Sequence, residues 1–366
     1  MTSTNSKTRV VVAMSGGVDS AIASARLFDA GYDVVGVTLH LWDYPDDPDA
    51  KGGHNRCCAP EDQYDARRMA DFLGFPHYTF DRRAMFAERV VAPFVDAYIS
   101  GETPSPCSTC NREVKLGELF AIADRLGASH VATGHYARVL AHPDGTPCIA
   151  TGLDASKDQS YFLYATPLAQ VSRLMFPLGE SMKRDVRAEA IARGIPGANK
   201  GESQELCFVG AGDHAYAAFV EERAKDRVRP GPILNDSGEV VGAHSGVHRF
   251  TIGQRKGVGV ALGAPAFVTA IDANSGTVHV GDGAALQRAE ADLEEVVIGA
   301  GVELPRRATV RIRYRHEGSA ATVTGVHGGA GKLVFDNTVR ALTKGQIAVF
   351  YDGERVIGGG RITHGN

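Results

Sequence analysis

The sequence has no apolar run approaching the roughly 18 residues of a membrane-spanning helix, so a helical membrane protein is not expected. The stretch from Met1 to Thr8 is polar and lacks the apolar core of a secretory signal, which makes the cytoplasm the expected location. Cysteine is scarce. The six, at Cys57, Cys58, Cys107, Cys110, Cys148 and Cys207, do not read as a disulfide framework in a cytosolic chain. Basic residues are not in excess: 39 Lys and Arg against 43 Asp and Glu leave a net charge of −4, and no general case for nucleic acid. Basic residues do cluster locally, at Lys183, Arg184, Arg187 and Arg193, at Arg223 to Arg229, and at Arg306 to Arg315. There is no internal repeat and no low-complexity tract. The 366 residues, 43% hydrophobic and 22% charged, suit two or three globular domains, each with its own core.

Near the N-terminus, Val10-Val11-Val12-Ala13 runs into Met14-Ser15-Gly16-Gly17-Val18-Asp19-Ser20 and then into a good helix former, Ala21 to Phe28. That order is a buried strand, a tight loop and a helix N-terminus. Unpaired N–H groups and the helix dipole make such a terminus hold anions. Gly16 and Gly17 allow close backbone approach to a phosphate, and Ser15 and Ser20 add hydroxyls. The loop lacks the Gly-Lys-Ser/Thr ending of a Walker loop and is not a dinucleotide GxGxxG. An ordinary strand-to-helix turn is the plain alternative. The complete string SGGVDS resembles the pyrophosphate loop of the ATP pyrophosphatase superfamily, which cleaves ATP between its α and β phosphates.

Further along, Asp33 to Leu39 reads as a second buried strand, and strand–helix–strand implies a right-handed parallel unit. Ligands sit beyond the carboxyl ends of such strands, which puts the glycine loop and Leu39 on one rim. A helix opening at Pro60, a strand over 76–81, a helix from about Phe86, a helix over 112–126, a strand at 131–135 and a hairpin about Pro143-Asp144-Gly145 follow. Short helices reach Gly194, and another is expected over 212–226. More than half of the 43 glycines lie beyond Pro230, among short β-rich segments. The expected fold is α/β, an open parallel sheet with flanking helices, followed by a small central domain and a C-terminal β-barrel. The boundaries are expected at 1–211, 212–285 and 286–366.

Cys107 and Cys110 form a C-x-x-C read as a loop before a helix. A redox pair, a zinc site using Cys57 and Cys58, and a sulfur-handling or iron–sulfur site completed by Cys207 all remain open from spacing alone.

SGGVDS, TPSPCSTCN (103–111), ATGHYAR (132–138), KDQSYFLY (157–164), FPLGE (176–180), the Cys207 segment, FTIGQRKGVGV (250–260) and RIRYRH (311–316) together resemble the tRNA-specific 2-thiouridylases across nearly the whole chain. The resemblance implies a pyrophosphatase-type α/β domain, a small central domain and a β-barrel. It implies ATP on Ala13, Met14, Ser15, Gly16, Gly17, Val18, Asp19 and Ser20, with Leu39 and Gly134, and Mg2+ as its counter-ion. It makes Cys110 the nucleophile and Cys207 the persulfide carrier. It puts tRNA contacts at Ser105, Pro106, Cys107, His135, Lys157, Asp158, Gln159, Arg313, Tyr314 and Gln346. A sulfur-donor protein is the implied partner, with no membrane involved. Adenylation of the uridine 2-oxygen would make it a leaving group, and an accessible, low-pKa Cys110 thiolate would free the sulfur from Cys207. The chain departs from many relatives in having Ser105 and Cys107 where they carry Asn and Asp. Cys107, Cys110 and Cys207 thus also offer three thiolates for a 4Fe–4S cluster, an alternative route to the same thiolation.

Overall fold

The computed structural model describes residues 7–43, 60–198, 206–210, 212, 214–261 and 263–365. The chain divides into two compact units. The first takes residues up to Arg89, Cys107–Phe208 and Glu354–Val356; the second takes Val90–Pro106, Val209–Gly353 and the C-terminal residues.

Strands β1 (Arg9–Ala13), β2 (Asp33–His40), β3 (His77–Asp81) and β4 (His130–Ala132) belong to the first unit. A hairpin, β5 (Ala137–Ala141) and β6 (Pro147–Thr151), follows, then the short β7 (Leu174–Met175). The parallel sheet runs in the order β3-β2-β1-β4-β7. β1 is buried along Val10, Val11 and Val12, as a central parallel strand covered on both faces must be. Helices α1 (Val18–Asp29), α2 (Pro60–Leu73), α5 (Pro106–Cys110), α6 (Leu116–Arg125), α7 (Leu168–Val171) and α8 (Lys183–Ala192) lie in or enter this unit, as does the short α3 (Arg83–Phe86). One core gathers Val10, Val12 and Met14 with Ile22 and Leu27 of α1, Met69 and Ala70 of α2, and Val186 and Ala190 of α8. The hairpin turn is where its residues put it: Asp144 Oδ1 accepts from Thr146 N at 2.9 Å, and Gly145 takes φ +86°.

The second unit holds helices α4 (Ala92–Ile99) and α9 (Ala215–Arg223). Strands β8 (Gly231–Leu234), β9 (Val240–His244), β10 (Phe267–Asp272) and β11 (Thr277–Gly281) form a sheet ordered β10-β11-β8-β9 around Ile233, Val268, Val278 and Val280. β12 (Gln287–Ile298), β13 (Arg306–Arg311), β14 (Ser319–His327), β15 (Ala330–Arg340), β16 (Ile347–Asp352) and β17 (Arg355–Gly365) run in the order β12-β15-β14-β13-β16-β17. Pairing of β12 with β17 closes them into a barrel, so no long edge is left open. Val310, Val323, Leu333 and Phe350, each fully buried, alternate inward to fill it.

One local expectation changes. The C-x-x-C is helical: α5 starts at Pro106, whose fixed φ suits a first helical turn, and a π-helical turn at Asn111–Lys115 joins it to α6. The basic strand near residue 311 ends at Arg311, leaving Arg313, Tyr314 and Arg315 in the turn beyond.

Candidate active site

The glycine loop bridges β1 and α1 at the carboxyl rim of the parallel sheet. Its entry is fixed to β2: Met14 N donates to Val37 O at 2.8 Å, and Thr38 Oγ1 donates to Met14 O at 2.6 Å. Ser20 Oγ closes the loop, accepting from Ser15 N at 3.2 Å and donating to Gly17 O at 2.9 Å. Gly16 has φ +74°, and a Cβ there would stand 2.2 Å from Asp62 O, so only glycine fits. Gly17 caps α1, and no side chain bonds into that cap. The first-turn N–H groups are therefore a ready anion cradle, and ATP phosphates fit it.

Gly134 backs onto the same loop. A Cβ there would come within 2.9 Å of Asp19 C and Ser20 N. Leu39 is buried one residue before the end of β2, on the same rim.

A chain of contacts ties four sequence motifs together at Asp19. Gln159 Oε1 accepts from Tyr136 N at 3.0 Å, while Gln159 N donates to Tyr136 O at 2.9 Å. The Tyr136 hydroxyl donates to Asp19 Oδ1 at 2.9 Å. Lys183 Nζ lies 2.8 and 2.7 Å from the two Asp19 oxygens and 5.6 Å from the centre of the Tyr136 ring. Lys183 is the first residue of α8, and its own N–H donates to Asp154 Oδ2 at 2.9 Å. Sequence reasoning noted Lys183 only as part of a basic cluster. Its position three residues after FPLGE, at a helix start, is the local signal.

Cys107 is exposed, Cys110 buried and Cys207 half-buried; neither these nor Cys148 forms a disulfide. Burial pushes the Cys110 thiol up to about 11; the Lys115 ammonium opposes this, and Cys107 adds to it. The expectation of an accessible, low-pKa Cys110 is thus corrected: a thiol taken out of water disfavours its anion. Lys115 ends the π-helical turn that follows Cys110. Desolvation, then Lys115, also drives His135 down to about 3, so its imidazole is neutral. His135 Nδ1 sits 2.8 Å from Thr133 Oγ1.

Cys207 is next to Phe208, which is buried against Trp42 and Phe86. Among the described residues, no three His, Cys, Asp or Glu side chains converge closely enough to hold a metal ion. Cys57 and Cys58 lie outside the described residues.

A family model described as "tRNA methyl transferase HUP domain" matches residues 8–211. Models described as "tRNA methyl transferase PRC-barrel domain" and "Aminomethyltransferase beta-barrel domain" match 217–282 and 293–362. A protein named tRNA-specific 2-thiouridylase MnmA from Sorangium cellulosum is 58% identical over 98% of this chain and 93% of its own length. The chain belongs to the tRNA-specific 2-thiouridylase family. Members of that name from Moorella thermoacetica and Roseiflexus castenholzii are 46% and 43% identical, over 96% and 97% of this chain and 98% and 99% of their own.

For a 2-thiouridylase, the remaining expected tRNA positions differ in kind. Asp158 is buried, and its carboxylate accepts from Gly152 N, Ser160 N and Ser160 Oγ at 3.0–3.1 Å, shaping the turn before Tyr161. Lys157 is half-buried in the same turn, its N–H donating to Asp154 O at 2.9 Å. In the second unit, Gln346 Nε2 donates to Thr103 O at 2.9 Å and Thr103 N donates to Lys344 O at 2.9 Å. Gln346 thereby holds the stretch that leads to Ser105 and Pro106. Arg313 is exposed and Tyr314 half-buried, beside Arg311, whose guanidinium lies 4.5 Å from the Tyr351 ring centre.

Proposed function

We propose that this chain catalyses the ATP-dependent 2-thiolation of the wobble uridine of tRNA, in the cytoplasm, using sulfur supplied by a donor protein. The observation that carries the reading is the convergence on Asp19. The glycine loop, Tyr136, Gln159 and Lys183 make a polar, cation-bearing phosphate site on the rim of a sheet whose chain also carries Cys110 and Cys207. The relatives' shared name supplies the substrate class.

The uridine 2-oxygen attacks the α-phosphorus of ATP; pyrophosphate leaves, and the base is held as its 2-O-adenylate. Loop N–H groups and Lys183 stabilise the charge that builds on the departing pyrophosphate. Asp19 is the carboxylate of the loop that would hold magnesium. Magnesium, when bound, neutralises that same leaving-group charge.

The terminal sulfur of a Cys207 persulfide then attacks C2, and AMP leaves with the former 2-oxygen. Cys207 Sγ is now joined through one sulfur to C2. The Cys110 thiolate attacks Cys207 Sγ, forming a Cys110–Cys207 disulfide and releasing the other sulfur as the 2-thione. The transferred sulfur gains the two electrons that the two thiols give up, and an external dithiol reduces the disulfide for the next turnover. Because Cys110 is buried and its thiol pKa raised, this step needs Cys110 uncovered when tRNA is bound. In the first unit Cys107, His135 and Lys157 are the proposed tRNA contacts, with Asp158 and Gln159 setting the backbone around them; in the second unit they are Ser105, Pro106, Arg313 and Tyr314, with Gln346 holding the stretch before Ser105.

The test is a reconstituted reaction with tRNA, Mg·ATP and a persulfide donor. AMP, pyrophosphate and 2-thiouridine should form in equal amounts, read by nucleoside mass spectrometry and nucleotide chromatography. Thiolation with ADP as product, or without ATP, would overturn the reading.

A further inference from the structure

Cys207 comes late in its unit and far in sequence from the glycine loop. The residue that follows it is buried, as is Val209. Phe208 is 4% exposed, although Cys207 is only half-buried and Gly210 is exposed. Its ring centre lies 6.2 Å from Trp42 and 5.5 Å from Phe86, at interplanar angles of 63° and 73°. Trp42 and Phe86 are themselves 6.3 Å apart at 63°. All three pairs are edge-to-face at separations that aromatic rings favour. Phe86 is almost fully buried.

The two partners come from neighbouring strands. Trp42 stands two residues beyond the carboxyl end of β2, and Phe86 ends α3, just after β3. β2 and β3 pair in parallel register, so both exits lie on the rim that carries the glycine loop. The aromatic cluster therefore fastens the residue after Cys207 to the edge of the nucleotide site.

We propose that Phe208, clasped by Trp42 and Phe86, is a positioning residue that sets Cys207 for sulfur delivery. This rests on the persulfide route given above. A sulfur-bearing cysteine has to meet an activated carbon in one geometry, and displacement by about 1 Å can cost on the order of 100-fold in rate. Adenylation needs no sulfur and does not depend on the clasp. Trp42 is the single tryptophan of the chain, so its emission reports the clasp directly.

The experiment compares wild type, Phe208→Ala, Trp42→Ala, Trp42→Phe and Cys207→Ser. Each is measured for tRNA-dependent ATP–pyrophosphate exchange, single-turnover 2-thiouridine formation and, where the tryptophan remains, emission maximum. Phe208→Ala and Trp42→Ala should slow thiolation about 10- to 100-fold, while exchange and the KM for ATP stay at wild-type values. Trp42→Phe keeps a ring and should restore thiolation. Phe208→Ala should shift the Trp42 emission to the red. If Phe208→Ala fails to fold, the Trp42 pair decides. Equal losses of exchange and thiolation, or wild-type thiolation in both alanine variants, would overturn the clasp. Normal thiolation by Cys207→Ser would instead sink the persulfide route on which it rests.

Discussion

Lys183 and Asp19 are 164 positions apart in sequence, yet the ammonium sits 2.7–2.8 Å from both oxygens of the carboxylate. The glycine loop contains no lysine of its own. Lys183 therefore supplies the loop's cation from a different helix, with Asp19 and the face of Tyr136 holding it ready. A hydrogen bond to a charged group contributes about 1.5–3 kcal/mol. Lys183→Met should weaken ATP binding about 10- to 100-fold, with tRNA affinity retained. Isothermal titration with ATP and a tRNA filter-binding assay check this. Unchanged ATP affinity would remove Lys183 from the site.

Two glycines are held by their neighbours rather than by general flexibility. Gly16→Ala would place a methyl 2.2 Å from Asp62 O at φ +74°, and Gly134→Ala one at 2.9 Å from the Asp19 and Ser20 backbone. Both changes should abolish tRNA-dependent ATP–pyrophosphate exchange. Gly134→Ala should do so with little loss of melting temperature, because the clash falls on the functional loop and not in the core. Wild-type exchange in Gly134→Ala would contradict the packing described.

Cys107 and Cys110 should be told apart by alkylation. The thiolate is the reacting form, so exposed Cys107 should label first. Cys110, raised to about 11 by burial, should label slowly at neutral pH and faster with each step of pH toward that value. Lys115 favours the anion, so Lys115→Met should push the rise to still higher pH. Peptide mass spectrometry after timed iodoacetamide treatment reads both sites. Rapid Cys110 labelling at pH 7 would show that it is not buried in solution.

Gln346→Ala removes the donor that holds the Thr103 carbonyl. A neutral hydrogen bond contributes about 0.5–1.5 kcal/mol. Amide exchange over residues 101–103 should accordingly quicken by roughly 2- to 10-fold, as hydrogen–deuterium exchange would show. An unchanged profile would remove Gln346 as the support of that stretch.

Local signals were legible in the sequence. SGGVDS announced a strand, a tight anion-binding loop and a helix because every part of that signal lies within a few residues. Pro143-Asp144-Gly145 announced its hairpin for the same reason. The barrel was legible as glycine-punctuated strands. Contacts made by the folded chain were not legible. Nothing local in Lys183 points to Asp19, and nothing local in Phe208 points to Trp42 and Phe86. The C-x-x-C was read as a loop, although Pro106 stood where a helix begins. A π-helical turn has no simple residue signature, and the burial that makes Cys110 a poor thiolate at rest is set by the folded chain.

The central claim is that sulfur reaches the wobble uridine through Cys207. The most direct measurement is nucleoside mass spectrometry of bulk tRNA from cells whose only copy of this protein carries Cys207→Ser. The expected result is loss of wobble 2-thiouridine, with the unthiolated uridine accumulating in its place. Thiolation at the wild-type level in those cells would contradict the account.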